Sequence, residues 1–307
     1  MGPGAGAAAA VGIGLSWRHL TVFCVGCAGT SPAPDGPRRT VLVMVDTLRP
    51  DHLGVYGHSR DTSPWLDEAA GEGAVFTEAR APSPWTLPST RALLTGRVPE
   101  KWNPDETLAH AFASAGWATA SVTASPWMSE SHDMTRGWDT VHREDLAEGM
   151  EQIRVSAGVL EAHASQDLFL FLHLLEPHLP YTEPEELRGR FAPERPPVRL
   201  MMPLTSHLLR DLTFTSTPTA EEESYVRARY DQNVAAVDAA LAALAEDLGP
   251  GHTLAITSDH GEEFWEHGGV EHGHALWPEV MRVPLIVTGH GVEAARHVQP
   301  LECHRPG

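Results

Sequence analysis

Positive charge is scarce in this 307-residue chain: 22 Lys and Arg stand against 41 Asp and Glu, a net charge of −19. A protein that grips nucleic acid through its phosphates needs a basic face, so the composition argues against nucleic acid as a partner. Any anionic substrate must then find its positive field at bound metal ions. The acidity by itself serves solubility. Cysteine is scarce too. Cys24, Cys27 and Cys303 show no pair spacing that suggests a metal site, and an odd count gives no disulfide framework. No apolar stretch is long enough for a membrane-spanning helix. The length is ample for one large domain with its own core, plus extensions.

What the chain does have is a concentration of metal-ligand residues. The apolar run Leu254-Ala255-Ile256 reads as a strand, and it enters a loop at Thr257-Ser258. Asp259-His260-Gly261-Glu262 follows, with His267, His272 and His274 close behind. Imidazole with carboxylate suits Zn²⁺ or Mn²⁺, whereas carboxylates alone suit Ca²⁺ or Mg²⁺. A second acid sits far upstream. Val41-Leu42-Val43-Met44-Val45 is the continuous, β-branched run of a strand buried on both faces, and Asp46 ends it. Sites in open α/β sheets gather beyond the carboxyl ends of the strands, so Asp46 and Asp259 are expected to converge.

The third element is Thr86. Leu87-Pro88-Ser89 reads as a helix entry, Ala92-Leu93-Leu94 continues it and Gly96 stops it. Thr86 then lies at a helix N-terminus, where unpaired N–H groups and the positive dipole end favour an anion. A hydroxyl so placed, if metal-bound, can lose its proton and attack phosphorus or sulfur. Alone it would be an ordinary capping residue.

Asp46-Thr47-Leu48-Arg49-Pro50-Asp51-His52-Leu53-Gly54, Thr86-Leu87-Pro88-Ser89 with Leu94-Thr95-Gly96, and Asp259-His260-Gly261-Glu262 resemble, in order, three signatures of the sulfatase-like branch of the alkaline phosphatase superfamily. Leu172-His173-Leu174-Leu175-Glu176-Pro177-His178-Leu179-Pro180-Tyr181 resembles the family's central strand-plus-His motif. Tyr230-Asp231-Gln232-Asn233-Val234, continuing through Val237-Asp238, resembles its helix before the Asp-His strand. The likeness runs from about Arg39 to about Val287. It implies an α/β fold with a mostly parallel central sheet and helices on both faces, alkaline-phosphatase-like. It also implies a divalent ion (Zn, Mn or Ca) held by Asp46, Thr86, Asp259 and His260. His178 and His272 match positions that contact the transferred group or help hold a second ion. Glu176, His267 and His274 are lesser candidates, and Arg49 is a supporting partner.

Departures from the family pattern point to the chemistry. Sulfate-ester hydrolases of the family carry Cys or Ser at the position of Thr86, converted to formylglycine; a secondary alcohol cannot give that aldehyde. Thr90 fills the place of their signature Arg, with Arg91 one position on. Their Lys-Trp-His segment is missing, since Ala115-Gly116-Trp117-Ala118-Thr119-Ala120 runs on to Pro126-Trp127 without Lys or His. A metal-bound Thr occurs in phosphodiesterases and in phosphoglycerol or phosphoethanolamine transferases of the superfamily. The resemblance therefore favours cleavage or transfer of a phosphoric ester group over sulfate hydrolysis.

Residues 1–37 read as a signal and tether. Arg18, a short apolar run and small residues before Cys27 resemble a bacterial lipoprotein signal, which implies acylation at Cys27, a membrane tether and an exported, cell-envelope location. Residues 38–290 read as the catalytic domain. Helices are expected over 63–73 and 107–115, and further strands over 74–77, 118–122, 168–172 and 284–287. Between Tyr181 and Glu221 no period is readable. Residues 291–307 read as an irregular tail, where family members usually continue into a smaller C-terminal sheet. The alternative function is accordingly a truncated, non-catalytic, lipid-anchored relative. Oligomeric state is not legible.

Overall fold

The computed structural model describes residues 36–298 apart from 183, 201 and 202, so Cys24, Cys27, Cys303 and the signal-like reading of the N-terminus lie outside the described residues. The elements run β1 (Arg39–Val45), α1 (Pro64–Gly71), β2 (Ala74–Phe76), α2 (Thr86–Thr95), α3 (Leu108–Ser114), β3 (Ala118–Thr123), β4 (Thr140–Arg143), α4 (Gly149–Ala162) and β5 (Leu168–Leu174). After these come α5 (Ser206–Thr215), α6 (Ala220–Leu248), β6 (His252–Ser258), β7 (Glu263–Phe264), β8 (Val270–Glu271), α7 (Pro278–Met281), β9 (Leu285–Gly289) and β10 (Ala295–His297). No helix among the described residues is long and apolar enough to cross a membrane.

The main sheet has eight strands in the order β10-β2-β9-β6-β1-β5-β3-β4. β6, β1, β5, β3 and β4 are parallel throughout, and β9 is antiparallel to both β6 and β2. Alternation along the central strands explains why both faces are covered. Val41, Val43 and Val45 of β1, with Leu168, Leu170 and Leu172 of β5, pack into one cluster with Tyr225, Val234 and Leu241 of α6. The intervening Leu42, Met44, Phe169 and Phe171 pack into a second cluster with Leu87 and Leu94 of α2 and with Phe112 of α3. Strands apolar at every position therefore need helices on both sides.

The expected elements form where the pattern was clear, and differ at weak signals. α4 opens on Glu148 with no side-chain cap, and β4 is a short, mostly exposed edge strand. α5 lies inside the stretch without readable period and is capped by the Thr205 side chain, which accepts from Leu208 N. Part of the segment read as an irregular tail forms β10, which pairs parallel with β2. Its residues are exposed or half-buried, so no apolar period marks them.

Candidate metal centre and nucleophile

Register brings the two acids together. β1 and β6 pair in parallel with Val45 opposite Ser258, so Asp46 and Asp259, one residue on, leave the sheet side by side. The turn is built tightly around them. Thr47 N donates to Asp259 Oδ1 at 3.2 Å, and Leu48 N donates to Ser258 Oγ at 2.9 Å. Thr47 itself has φ of 57°, a conformation a β-branched residue adopts only when its surroundings impose it. Tyr230, from α6, holds it there by donating to Thr47 O at 2.7 Å and accepting from Arg49 N at 2.9 Å.

Asp46, Asp259 and His260 present ligand atoms all within 4.8 Å of one another, every one of them buried. His260 Nδ1 lies 2.9 Å from Gly261 O. That bond fixes a proton on Nδ1 and leaves Nε2 facing the acids. Nε2 lies 3.3 Å from Asp259 Oδ2 and 3.8 Å from Asp46 Oδ1. Those two carboxylate oxygens are buried without any hydrogen-bond partner. Buried acceptors left unpaired are costly, so the pair calls for a cation. The electrostatics agree. Burial opposes charge on the His260 ring, but the carboxylates of Asp259 and Asp46 outweigh it and push the ring up to about 9. Burial likewise works against the Asp46 carboxylate, yet His178, His173 and His260 hold it well below the usual range. The donor set, one imidazole with two carboxylates, fits a divalent ion of the Zn²⁺ or Mn²⁺ kind.

Thr86 is the first residue of α2, preceded by an extended Trp85. Its Oγ1 lies 3.4 Å from His260 Nε2, at the edge of the acid cluster. Thr90 turns back to bond Thr86 O at 2.8 Å. Arg91 is directed elsewhere and bonds His132 O at 2.9 Å.

A line of imidazoles continues from the cluster. The rings of His260 and His272 are 4.3 Å apart, and those of His272 and His178 are 5.1 Å apart. His178 Nδ1 lies 2.6 Å from Leu179 O, which leaves Nε2 as its free position. His272 Nδ1 lies 2.9 Å from Oε1 of Glu262, a fully buried carboxylate whose Oε2 accepts from Tyr181 OH at 3.2 Å. Burial disfavours the Glu262 charge, but His272, His178 and His260 keep its carboxyl below the ordinary value.

The sequence-derived set Asp46, Thr86, Asp259, His260, His178 and His272 is thus gathered in one place, while the lesser candidates are not. His267 stacks on Trp277 and faces Glu279, and His274 bonds Glu263 at 2.8 Å. Glu176 accepts from Gly149 N at 3.1 Å. Arg49 is buried and bridges Asp51, Glu266 and Glu262 O, a supporting role. Two residues escaped sequence reasoning. His173 is fully buried with neither ring nitrogen hydrogen-bonded, and its Nε2 lies 3.3 Å from Asp46 Oδ2. Glu262 was visible only as part of the Asp259 motif, and its link to His272 across ten residues was not. Among the described residues His52, His58 and Asp231 form a second group of possible ligands. There the guanidinium of Arg60 already occupies Asp231, so the group is closed as an ion-pair node.

Comparison with known proteins bears on the family and the fold. A 91-residue segment is 38% identical to N-acetylgalactosamine-6-sulfatase of Sus scrofa, covering 30% of this chain and 17% of that protein. The chain spans less than a fifth of the length of the sulfatases it matches. Among solved structures, the zinc complex of the C-terminal periplasmic domain of EcEptC from Escherichia coli superposes with a TM-score of 0.66 at 20% identity, covering 85% of this chain and 75% of that one. Phosphonate monoester hydrolase of Agrobacterium radiobacter does so with a TM-score of 0.67 at 18% identity, covering 85% and 70%. At these identities the two structures speak for the fold alone, a large, mostly parallel sheet flanked by helices. The profile named Sulfatase matches residues 38–304, and the chain belongs to the sulfatase family.

Proposed function

We propose that the protein is a metal-dependent hydrolase or transferase that moves a phosphoric ester group through Thr86, with sulfuric esters as poorer substrates. One observation carries the reading: the Thr86 hydroxyl, at the N-terminal end of α2, lies 3.4 Å from His260 beside the two unpartnered carboxylates. Asp46, Asp259, His260 and Thr86 would hold the ion. When bound, it would supply Lewis acidity that lets the Thr86 hydroxyl give its proton to solvent and enter and leave the reaction as the alkoxide. The N–H groups of the first turn of α2 face the anionic oxygens. Thr86 Oγ bonds to phosphorus as the ester P–O bond breaks, and His178 or His272 gives the departing alcohol its proton. In the second half the acceptor, water or another alcohol, returns a proton to the ring and displaces the group from Thr86. The similar proteins include a sulfatase, a phosphonate monoester hydrolase and a phosphoethanolamine transferase, which supports an ester of phosphorus or sulfur as the substrate class. That one of them is a periplasmic domain supports export.

Elemental analysis of the purified protein tests the reading, together with turnover of aryl phosphate monoesters, diesters and aryl sulfate. We expect a stoichiometric divalent ion and chelator-sensitive cleavage of a phosphate ester, with sulfate cleavage weak. A protein that binds no ion, or whose activity survives chelation, would overturn it.

Glu262 gives a further expectation. By accepting from His272 Nδ1 it sets which nitrogen of that ring faces the substrate. Glu262→Gln can present its N–H₂ group to the ring instead and reverse the tautomer. Turnover should fall roughly 10- to 100-fold, the usual effect of removing such a support. An unchanged pH–rate profile and kcat in this variant would show that His272 needs no partner.

A further inference from the structure

Trp85 and Trp127 are two large apolar side chains left exposed beside the reactive group. They are 38% and 40% exposed, and their rings meet edge to face at 5.5 Å. Trp85 is joined directly to Thr86, and Gly273, next to His272, lies against its Cβ. Trp127 follows β3, whose carboxyl end lies on the same edge of the sheet as Asp46, because β3, β5 and β1 are parallel. His132 adds a ring edge to Trp127 at 5.3 Å.

Single exposed apolar residues need no explanation, but their concentration does. Among the eleven exposed large apolar side chains of the described residues, Trp85 and Trp127 form a pair in direct ring contact. Charge narrows what they can meet. The arginines that reach the Trp127 loop bond backbone carbonyls, Arg91 to His132 O and Arg143 to Pro126 O. The same loop carries the acids Glu130 and Asp133 in a chain of net charge −19. The loop is thus of mixed charge with no concentrated basic or acidic patch, and its two indole rings offer an apolar ring a face to pack on.

We infer that Trp85 and Trp127 form a platform for the organic half of the substrate, and that this half is an uncharged group bearing an aromatic or similarly flat apolar ring. The inference rests on the reading of Thr86 as the acceptor of the transferred group, since that is what brings the phosphorus, with its organic substituent, to this face. Ring contacts of this kind favour an aromatic over a methyl group by roughly tenfold.

Two measurements test it. The first compares turnover of benzyl and methyl esters of the same phosphate, whose alcohols are of similar acidity. The second compares calorimetric binding of phenylphosphonate and methylphosphonate, and needs no turnover. In wild type the aromatic compound should lead by roughly tenfold in both. Trp127→Ala should bring the ratio close to unity and Trp127→Phe should keep part of it, with circular dichroism confirming the fold. Trp85→Phe provides a second variant should Trp127→Ala not fold. Equal handling of the two compounds by wild type, or a ratio unmoved in the variants, overturns the platform and leaves the Thr86 reading standing. Chelator-insensitive turnover, or none, with the phosphonate ratio intact overturns the Thr86 reading alone. If neutral phosphatidylcholine vesicles blue-shift the fluorescence of wild type but not of Trp127→Ala, the face meets a lipid surface and the inference fails.

Discussion

Thr86→Ala is expected to lower turnover by several orders of magnitude with the fold unchanged. The loss is large because the other hydroxyls of this helix entry are engaged elsewhere. Thr90, one helical turn on, is buried and bonded back to Thr86 O. Ser83 is buried upstream, where its carbonyl accepts from Ser89. Thr86→Ser should retain part of the rate, since the hydroxyl survives at the same helix position, with one methyl fewer to hold its rotamer. The Ala variant should still bind the ion through Asp46, Asp259 and His260. Asp259→Ala removes one of the two unpartnered carboxylates together with the acceptor for Thr47 N and His260 N, so it should lose both ion and activity. Single-turnover assays with metal analysis separate these outcomes. Full activity in Thr86→Ala, toward phosphate or sulfate esters, would show that the nucleophile is misassigned.

The residues that carry this argument were readable to different degrees, for physical reasons. Asp46 was readable because it ends a run apolar at every position, and a strand buried on both faces can deliver a carboxylate only at its end; Asp259 was readable because it follows the shorter apolar run Leu254–Ile256, with Thr257 and Ser258 between, and leads into His260. Thr86 was readable because Pro88 and Ser89 open a helix and Gly96, at φ 63°, closes it. His173 was not. It sits inside the fully buried strand Leu168–Leu174, where a lone His reads as a packed core residue, and only the β1–β5 pairing puts it beside Asp46. His267 and His274 misled through proximity in sequence. The β7–β8 pairing sets Glu263 opposite Glu271, and the hairpin directs both imidazoles to acids outside the cluster. His272 is kept inside by Glu271, which has φ of 73° and an ion pair with Arg210. No local pattern encodes that arrangement.

Asp231→Asn should cost about 2–4 kcal/mol of stability at neutral pH, less than a wholly buried pair would, because Arg60 remains partly hydrated. Asp231 lies on α6 and is fully buried, yet it meets three donors from the loop after β1: His52 Nδ1 at 2.5 Å, His58 Nε2 at 3.4 Å and the Arg60 guanidinium. It therefore pins that loop, and with it the Asp46 turn, to the long helix. Burial works against its charge, but His52, His58 and Arg60 hold the carboxyl well below the ordinary carboxylate range. Burial also lowers the His52 ring, outweighing Asp231, so at neutral pH an uncharged imidazole donates to the carboxylate. Both shifts act in one direction. The unfolded chain takes up protons that the folded one excludes, so stability should fall as pH drops, first below about 6.5 through His52 and then below about 4 through Asp231. The Asn variant should lose the second phase but keep the first, deepened because Asp231 no longer raises the His52 ring, so the gap between it and wild type should narrow only below about pH 4. Denaturant unfolding from pH 7 to pH 3 measures this. Because Asp231 lies outside the ion cluster, the folded variant should keep its ion. A variant as stable as wild type at pH 7, or equally acid-sensitive, would show that the node does not tie loop to helix.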